Sequence, residues 1–394
     1  MINPLIQELI SNKDASVIRK MFEEGIEMKK IYGADKVYDF SLGNPDLDPP
    51  QKVVDAVKEV AQDTSHGRHG YMPNAGYPET RAAMARKVSL EQGVKLESGD
   101  VVITAGAASA LNCVFKTILN AGDNVIVPKP FFAEYRNYVR NYGGILQEVS
   151  TKDDFSLDVE SIKKALNEKT AAVLINSPNN PTGKVYTESD IIALAECLKE
   201  HAAKSGRTPY LILDEPYRAI TYDGKTVPSA FDKYDSSIVV SSFAKNLSLP
   251  GERIGYIAVN PKAEDAKNLI GGSIFSLRVL GFVNAPAFFQ KVVQKSWDAE
   301  VDFSSYEKRR NLLMGVLDKA GIEYYRPEGA FYLFVKVPAK FNGDDMAFSD
   351  HLKKFHILCA PGKGFGGPGW VRLAYCVDEK SIVNSQEAFI EAAK

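Results

Sequence analysis

From about residue 95 the chain alternates short, continuous apolar runs with stretches of helical periodicity, and few folds satisfy that alternation. An apolar run with no polar alternation reads as a strand covered on both faces. Such strands separated by helices build a mostly parallel sheet between helical layers, so the fold class is α/β. The runs at 101–104, 124–127, 171–175, 210–213, 238–241 and 254–259 are the strand candidates.

After about residue 285 the pattern shifts to long charged helices, including 300–320, and to alternating strand-like pieces such as 330–337. That shift predicts two domains: a large one over 48–285, and a smaller α+β one formed by 1–47 together with 286–394. A length of 394 residues with 45% hydrophobic side chains is enough for both cores. The helix-like segment over 4–31 precedes the sheet pattern and has nothing local to cover. It is expected to pack on the C-terminal domain or on a partner subunit.

Forty-eight basic against fifty acidic side chains give a net charge of −2. No global field draws such a chain to nucleic acid or to an anionic membrane. The four cysteines, Cys113, Cys197, Cys359 and Cys376, show no CxxC spacing and read as reduced thiols. The N-terminus lacks the apolar core of a signal peptide, and no stretch of 18 apolar residues occurs. A cytoplasmic protein whose partners are small molecules and itself is expected, with no metal site.

Ligands of open parallel sheets bind beyond the carboxyl ends of the strands. Beyond 210–213 stand Asp214, Glu215, Pro216 and Tyr217; beyond 238–241 come Ser242, Phe243, Ala244 and Lys245, with Arg253 in the same turn region. Beyond 101–104, Gly106, Ala107 and Ala108 open a helix whose free N–H groups can hold a phosphate. Beyond 171–175 runs NSPNNPTG, whose prolines and final glycine make a rigid loop carrying Asn180. Taken alone, Asp214 reads as a helix or turn cap and Lys245 as a solvated surface charge. Together the strand ends offer an acid, an amine, an amide and a phosphate cradle, the set a phosphorylated pyridine aldehyde requires.

NSPNNPTG, LDEPY at 213–217, SSFAKNLSLPGERIGY at 241–256 and WVRLAY at 370–375 resemble the class I and II aminotransferases, enzymes of pyridoxal phosphate (PLP) fold type I. The resemblance runs from SLGNPD at 41–46 to the last strand. It implies a seven-stranded, mostly parallel sheet, PLP as cofactor, and a homodimer with shared active sites. A competing signal, GxGxxG at Gly362, Gly364 and Gly367, is followed by the strand-like GWVRLAY and not by a helix, so a nicotinamide site is rejected.

The resemblance assigns roles residue by residue. Lys245 would bond the cofactor aldehyde and then move a proton, and Asp214 would keep the ring nitrogen protonated. Asn180 and Tyr217 match the donors to the phenolic oxygen. Ala107 and Ala108 with Gly106, Ser242 and Arg253 would hold the phosphate, and Phe132 would stack on the ring, although plain core packing is the commoner role of an isolated phenylalanine. Arg372 suits the planar α-carboxylate of a substrate, with Gly43 allowing close backbone approach, and Tyr71 resembles the tyrosine that crosses to the partner's phosphate. Arg278 is either a side-chain carboxylate site reached across the dimer or a solvated cation.

Two positions depart from the common pattern. The cradle lacks a further glycine or hydroxyl, and Glu252 replaces a bulky residue; neither change removes a catalytic group. The expected reaction is ping-pong transfer of an amino group from an L-amino acid, aspartate ahead of alanine or glutamate, to a 2-oxo acid. The rivals are a C–S β-lyase or decarboxylase on the same scaffold, and a PLP-binding regulator without turnover, for which the N-terminal 40 residues offer no DNA-binding module.

Overall fold

The computed structural model describes residues 2–11 and 17–394. Of the helical segment expected over 4–31, residues 12–16 lie outside the described residues, and helices Pro4–Ser11 and Val17–Tyr32 flank them. A short strand β1 (Tyr38–Asp39) follows.

Seven strands then form one sheet: β2 (Val101–Thr104), β3 (Asn124–Pro128), β4 (Ile145–Val149), β5 (Thr170–Asn176), β6 (Tyr210–Asp214), β7 (Ser237–Ser242) and β8 (Gly255–Val259). Their order is β2-β8-β7-β6-β5-β3-β4. The pairs among β4, β3, β5, β6 and β7 are parallel, whereas β8 runs antiparallel to both neighbours. The six expected strands are all present. The seventh, β4, is missing from the sequence reading because ILQEV at the sheet edge is largely exposed and lacks an apolar run.

Alternate residues of each strand enter two separate cores. Ile103, Val173, Ile175, Leu211, Leu213 and Val239 face Val53, Met84, Leu194 and Val293. Val102, Ala172, Leu174, Ile212, Ile238 and Val240 face Leu111, Phe115, Leu269 and Leu277. This period of two, with apolar residues on both faces, is why the strands read as unbroken hydrophobic runs. Helix Ala287–Ser296, just beyond the boundary expected at 285, adds Val292 and Val293 to the first core.

A third core belongs to the C-terminal part. There β9 (Tyr324–Tyr325), β10 (Tyr332–Lys336), β12 (Ala360–Pro361) and β13 (Trp370–Ala374) make an antiparallel sheet in the order β12-β13-β10-β9, while β11 (Ile357–Leu358) pairs parallel with β1. Leu313 and Leu317 of helix Ser304–Ala320 pack here with Phe331, Leu333, Leu373 and Phe389. Phe40 joins them, and Met21 packs on Leu358, so the N-terminal segment does cover the C-terminal part. The GxGxxG segment is a single 3₁₀ turn, Gly362–Phe365, leading into β13. Its first glycine is needed because a Cβ there would come within 2.2 Å of the Gly367 carbonyl oxygen.

The register brings the chemistry-bearing ends to one edge: Asn176 beside Asp214, Ser242 beside Gly255, and Thr104 beside Gly255. Gly255 sits where two backbones crowd, since a Cβ would lie 2.6 Å from the Ser241 oxygen and 2.8 Å from Gly106. Gly255→Ala is therefore expected to lower the unfolding free energy by roughly 1–3 kcal/mol in urea titrations. An unchanged midpoint would mean this edge has slack.

Candidate active site

Lys245 projects from the short helix Phe243–Asn246 that follows β7. Its Nζ donates to the carbonyl oxygen of Gly43 at 2.8 Å and lies 5.3 Å from the Phe331 ring centroid. Loss of hydration lowers its pKa to about 8; the neighbouring Cys376 thiol opposes the shift, and the charges of Arg372 and Arg253 add to it. An amine in that range supplies the neutral, nucleophilic form near neutral pH.

Asp214 ends β6 and is buried. The Tyr135 hydroxyl donates to its Oδ2 in a short hydrogen bond, whereas its Oδ1 is buried with no hydrogen-bond partner. Burial raises the carboxyl to about 7 against the opposing pull of Tyr135. Its backbone oxygen accepts from Asn176 Nδ2 at 2.8 Å, and Asn176 Oδ1 accepts the Asn180 N–H at 2.7 Å, so β6 is tied to the NSPNNPTG loop.

Arg372 on β13 is buried and reaches both parts of the molecule. Nη1 donates to Asn180 Oδ1 at 3.0 Å and Nη2 to the Ser41 carbonyl at 2.8 Å, leaving Nε without a partner. Its guanidinium carbon is 4.4 Å from the Tyr332 ring centroid and 4.7 Å from that of Phe365. Aromatic faces hold a desolvated guanidinium in one orientation. The Tyr217 hydroxyl meets the Tyr332 hydroxyl at 2.9 Å. A Cβ on Gly43 would come within 2.1 Å of that Tyr332 oxygen, so only glycine fits.

Gly106, with φ of +92°, precedes helix Ala107–Ile118, whose first turn receives no capping side chain. A Cβ on Gly106 would meet Arg253 Nη2 at 2.8 Å. Arg253, itself left-handed at φ +52°, donates to the oxygens of Pro250 and Ala105 at 2.9 and 3.3 Å. Ser242 is buried at the start of the Lys245 helix, and half-buried Phe132 meets Tyr135 edge-on at 5.5 Å. The helix N-terminus and the Arg253 guanidinium place positive charge side by side at this strand end.

Tyr71 and Arg278 do not join these groups. Tyr71 is 95% exposed in a surface hollow with Met72, Phe282 and Val283. Arg278 is exposed on helix Ala266–Val279, its guanidinium 5.4 Å from the Phe275 ring and free of acidic partners among the described residues. The sequence reading gave no role to Tyr135, Tyr332, Phe365, Cys376 or Ser41. Buried tyrosines demand hydrogen-bond partners, the one signal that could have marked Tyr135 and Tyr332. Among the described residues no cluster of three or more His, Cys, Asp or Glu could hold a metal ion, and no helix is long and apolar enough to cross a membrane.

Lys245, Asp214, Asn180 and the first turn of helix Ala107–Ile118 stand at the strand ends of a seven-stranded α/β sheet of the kind found in aminotransferases. The chain belongs to the aminotransferase class I and II family, whose profile matches residues 35–388. Members of this family are PLP-dependent, and the protein is an aminotransferase. It is 34% identical over 358 residues to the probable aspartate/prephenate aminotransferase of Aquifex aeolicus, covering 88% of each chain. Among solved structures, an amino transferase of Eubacterium rectale is similar at a TM-score of 0.94 and 39% identity, covering 100% of this chain and 98% of that one. The aspartate aminotransferase of Thermus thermophilus with maleate is similar at 0.85 and 29%, covering 95% and 96%.

The raised Asp214 carboxyl has a consequence for the cofactor-free protein. Between the ordinary 3.8 and about 7 the folded chain holds a proton that the unfolded chain releases. The stability this contributes is complete below the lower value and lost as pH rises through the upper one. Asp214→Asn removes that loss. Its unfolding free energy relative to the parent should rise by about 2–4 kcal/mol from pH ~4 to ~8 in urea titrations; a flat difference would contradict a buried proton on Asp214.

Proposed function

We propose that Lys245 is the lysine that bonds PLP, and that the enzyme moves the amino group of an L-amino acid to a 2-oxo acid by ping-pong chemistry, with aspartate as the favoured donor. The observation that carries this reading is the unpartnered, buried Asp214 Oδ1, which lacks a cation or donor and suits a protonated ring nitrogen. The uncapped start of helix Ala107–Ile118 beside the Arg253 guanidinium, so close that a Gly106 Cβ would meet Nη2 at 2.8 Å, suits a phosphate. When bound, PLP supplies an electron sink for the bond broken at the substrate Cα.

The chain's own groups would do the rest. Lys245 Nζ would take the proton from the substrate Cα, and its lowered pKa suits that transfer. Asn180 and Tyr217 donate to the phenolic oxygen. The N–H groups of Ala107 and Ala108, with Gly106, Ser242 and Arg253, hold the phosphate, and Phe132 stacks on the ring. Arg372 binds the α-carboxylate beside Gly43, and its unpaired Nε leaves room for a second hydrogen bond.

The proposed assembly is a homodimer in which the partner subunit's Tyr71 completes the phosphate site and the partner subunit's Arg278 meets a side-chain carboxylate. Supporting it are the 95% exposure of Tyr71 and the exposed Phe275, Val279 and Phe282. Aspartate is favoured by the names of the similar enzymes and by that unpaired cation. A cytoplasmic location accords with four free, buried cysteines.

Adding L-aspartate, L-alanine, L-glutamate and L-cysteine separately to the PLP-loaded protein tests the reading by visible absorbance. The cofactor band should require Lys245, vanish in Lys245→Ala, and convert with L-aspartate as the 2-oxo acid appears. Release of pyruvate and ammonia instead would indicate a lyase. Arg372→Lys should raise the donor KM by about two orders of magnitude, since an ammonium cannot form the paired contacts of a guanidinium; a KM within about twofold of the parent would move the carboxylate site elsewhere.

A further inference from the structure

Tyr332 stands where the proposed chemistry converges, although no role above falls to it. The residue lies on β10, and its hydroxyl is 2.9 Å from that of Tyr217, with the two rings nearly perpendicular at 79°. The Arg372 guanidinium carbon is 4.4 Å from its ring centroid. The same hydroxyl fills the space a Gly43 side chain would need, and the Gly43 carbonyl receives Lys245. One buried tyrosine therefore touches Tyr217, Arg372 and the residue that holds Lys245.

A tyrosine hydroxyl has a single proton to donate. Within the pair either oxygen can be the donor. With the Tyr217 O–H donating to the cofactor's phenolic oxygen, the contact between the two tyrosines would survive only if Tyr332 donates to Tyr217. That donation polarises the Tyr217 O–H and strengthens it toward its own acceptor. Burial holds the Tyr332 hydroxyl up at about 12, so its proton stays in place through the neutral range.

We propose that Tyr332 is a positioning residue: its hydroxyl directs the Tyr217 proton to the phenolic oxygen, and its ring holds the Arg372 guanidinium for the substrate carboxylate. The proposal rests on the role assigned above to Tyr217. It predicts that the two parts of Tyr332 act on different steps, the hydroxyl on cofactor basicity and the ring on substrate binding.

Titrating the visible band of the PLP-loaded protein against pH, alongside steady-state kinetics, separates the two. Tyr332→Phe keeps the ring and loses the hydroxyl, so the band midpoint should rise by about half a unit to one unit, the scale of one hydrogen bond. A donor at the phenolic oxygen stabilises its negative form and opposes proton uptake, which fixes the sign. The donor KM should stay within about twofold, whereas Tyr332→Leu should raise it about tenfold. Tyr217→Phe should shift the midpoint further, and the double variant should match Tyr217→Phe alone because Tyr332 acts through it. Coincident titrations of parent and Tyr332→Phe, or a double variant shifted beyond Tyr217→Phe, would overturn the proposal. A parent protein without a Lys245-dependent band would sink the underlying cofactor assignment, and this proposal with it.

Discussion

A carboxylate taken out of water must find a cation, a proton or a set of donors. Asp214 has one donor, Tyr135, and an oxygen left over. Its neighbours are organised around that imbalance. The Asn176 amide fixes the strand end that carries it, and the same amide's oxygen fixes Asn180. Asn180 in turn engages Arg372, so a chain of hydrogen bonds runs from the buried acid to the guanidinium of the C-terminal sheet. The residues proposed for the cofactor and for the substrate carboxylate are thereby joined through one loop.

The sheet makes this possible by geometry alone. Parallel neighbours bring Asn176 and Asp214 level, and the reversed strand β8 presents its beginning, Gly255, beside the ends of β2 and β7. A seventh parallel strand in place of β8 would have put its far end there. Reversal lets Arg253, two residues before β8, lie against Gly106 two residues after β2. Two glycines absorb the crowding that follows.

Much of this was legible in the sequence. The unbroken apolar strands gave the two-sided sheet, and residues just past them gave Asp214, Lys245, Asn180 and the Gly106 cradle, because a strand end is a position sequence can mark. The edge strand β4 escaped, since the polar Gln147 and Glu148 interrupt its apolar run and its Ile145 and Glu148 are exposed. Contacts across long separations were also invisible: Tyr217 and Tyr332 stand 115 residues apart, and Tyr135 and Asp214 stand 79 apart. Neither residue of such a pair has a local pattern that betrays the other. Tyr71 and Arg278 lie on the surface, away from the strand ends where the other site residues gather.

The segment from Ser41 to Gly43 offers a different kind of constraint. Its carbonyls, not its side chains, face the chemistry: Ser41 oxygen takes Arg372, Gly43 oxygen takes Lys245, and Leu42 leaves its side chain 42% exposed. Both peptide oxygens accept from a cation, and their dipoles offset part of the repulsion between Lys245 and Arg372. The Arg372 guanidinium thus already serves two acceptors, Asn180 and Ser41, with Nε left over. Because these acceptors are backbone oxygens, this part of the site is set by the path of the chain, and a change of side chain at position 42 would leave it almost untouched.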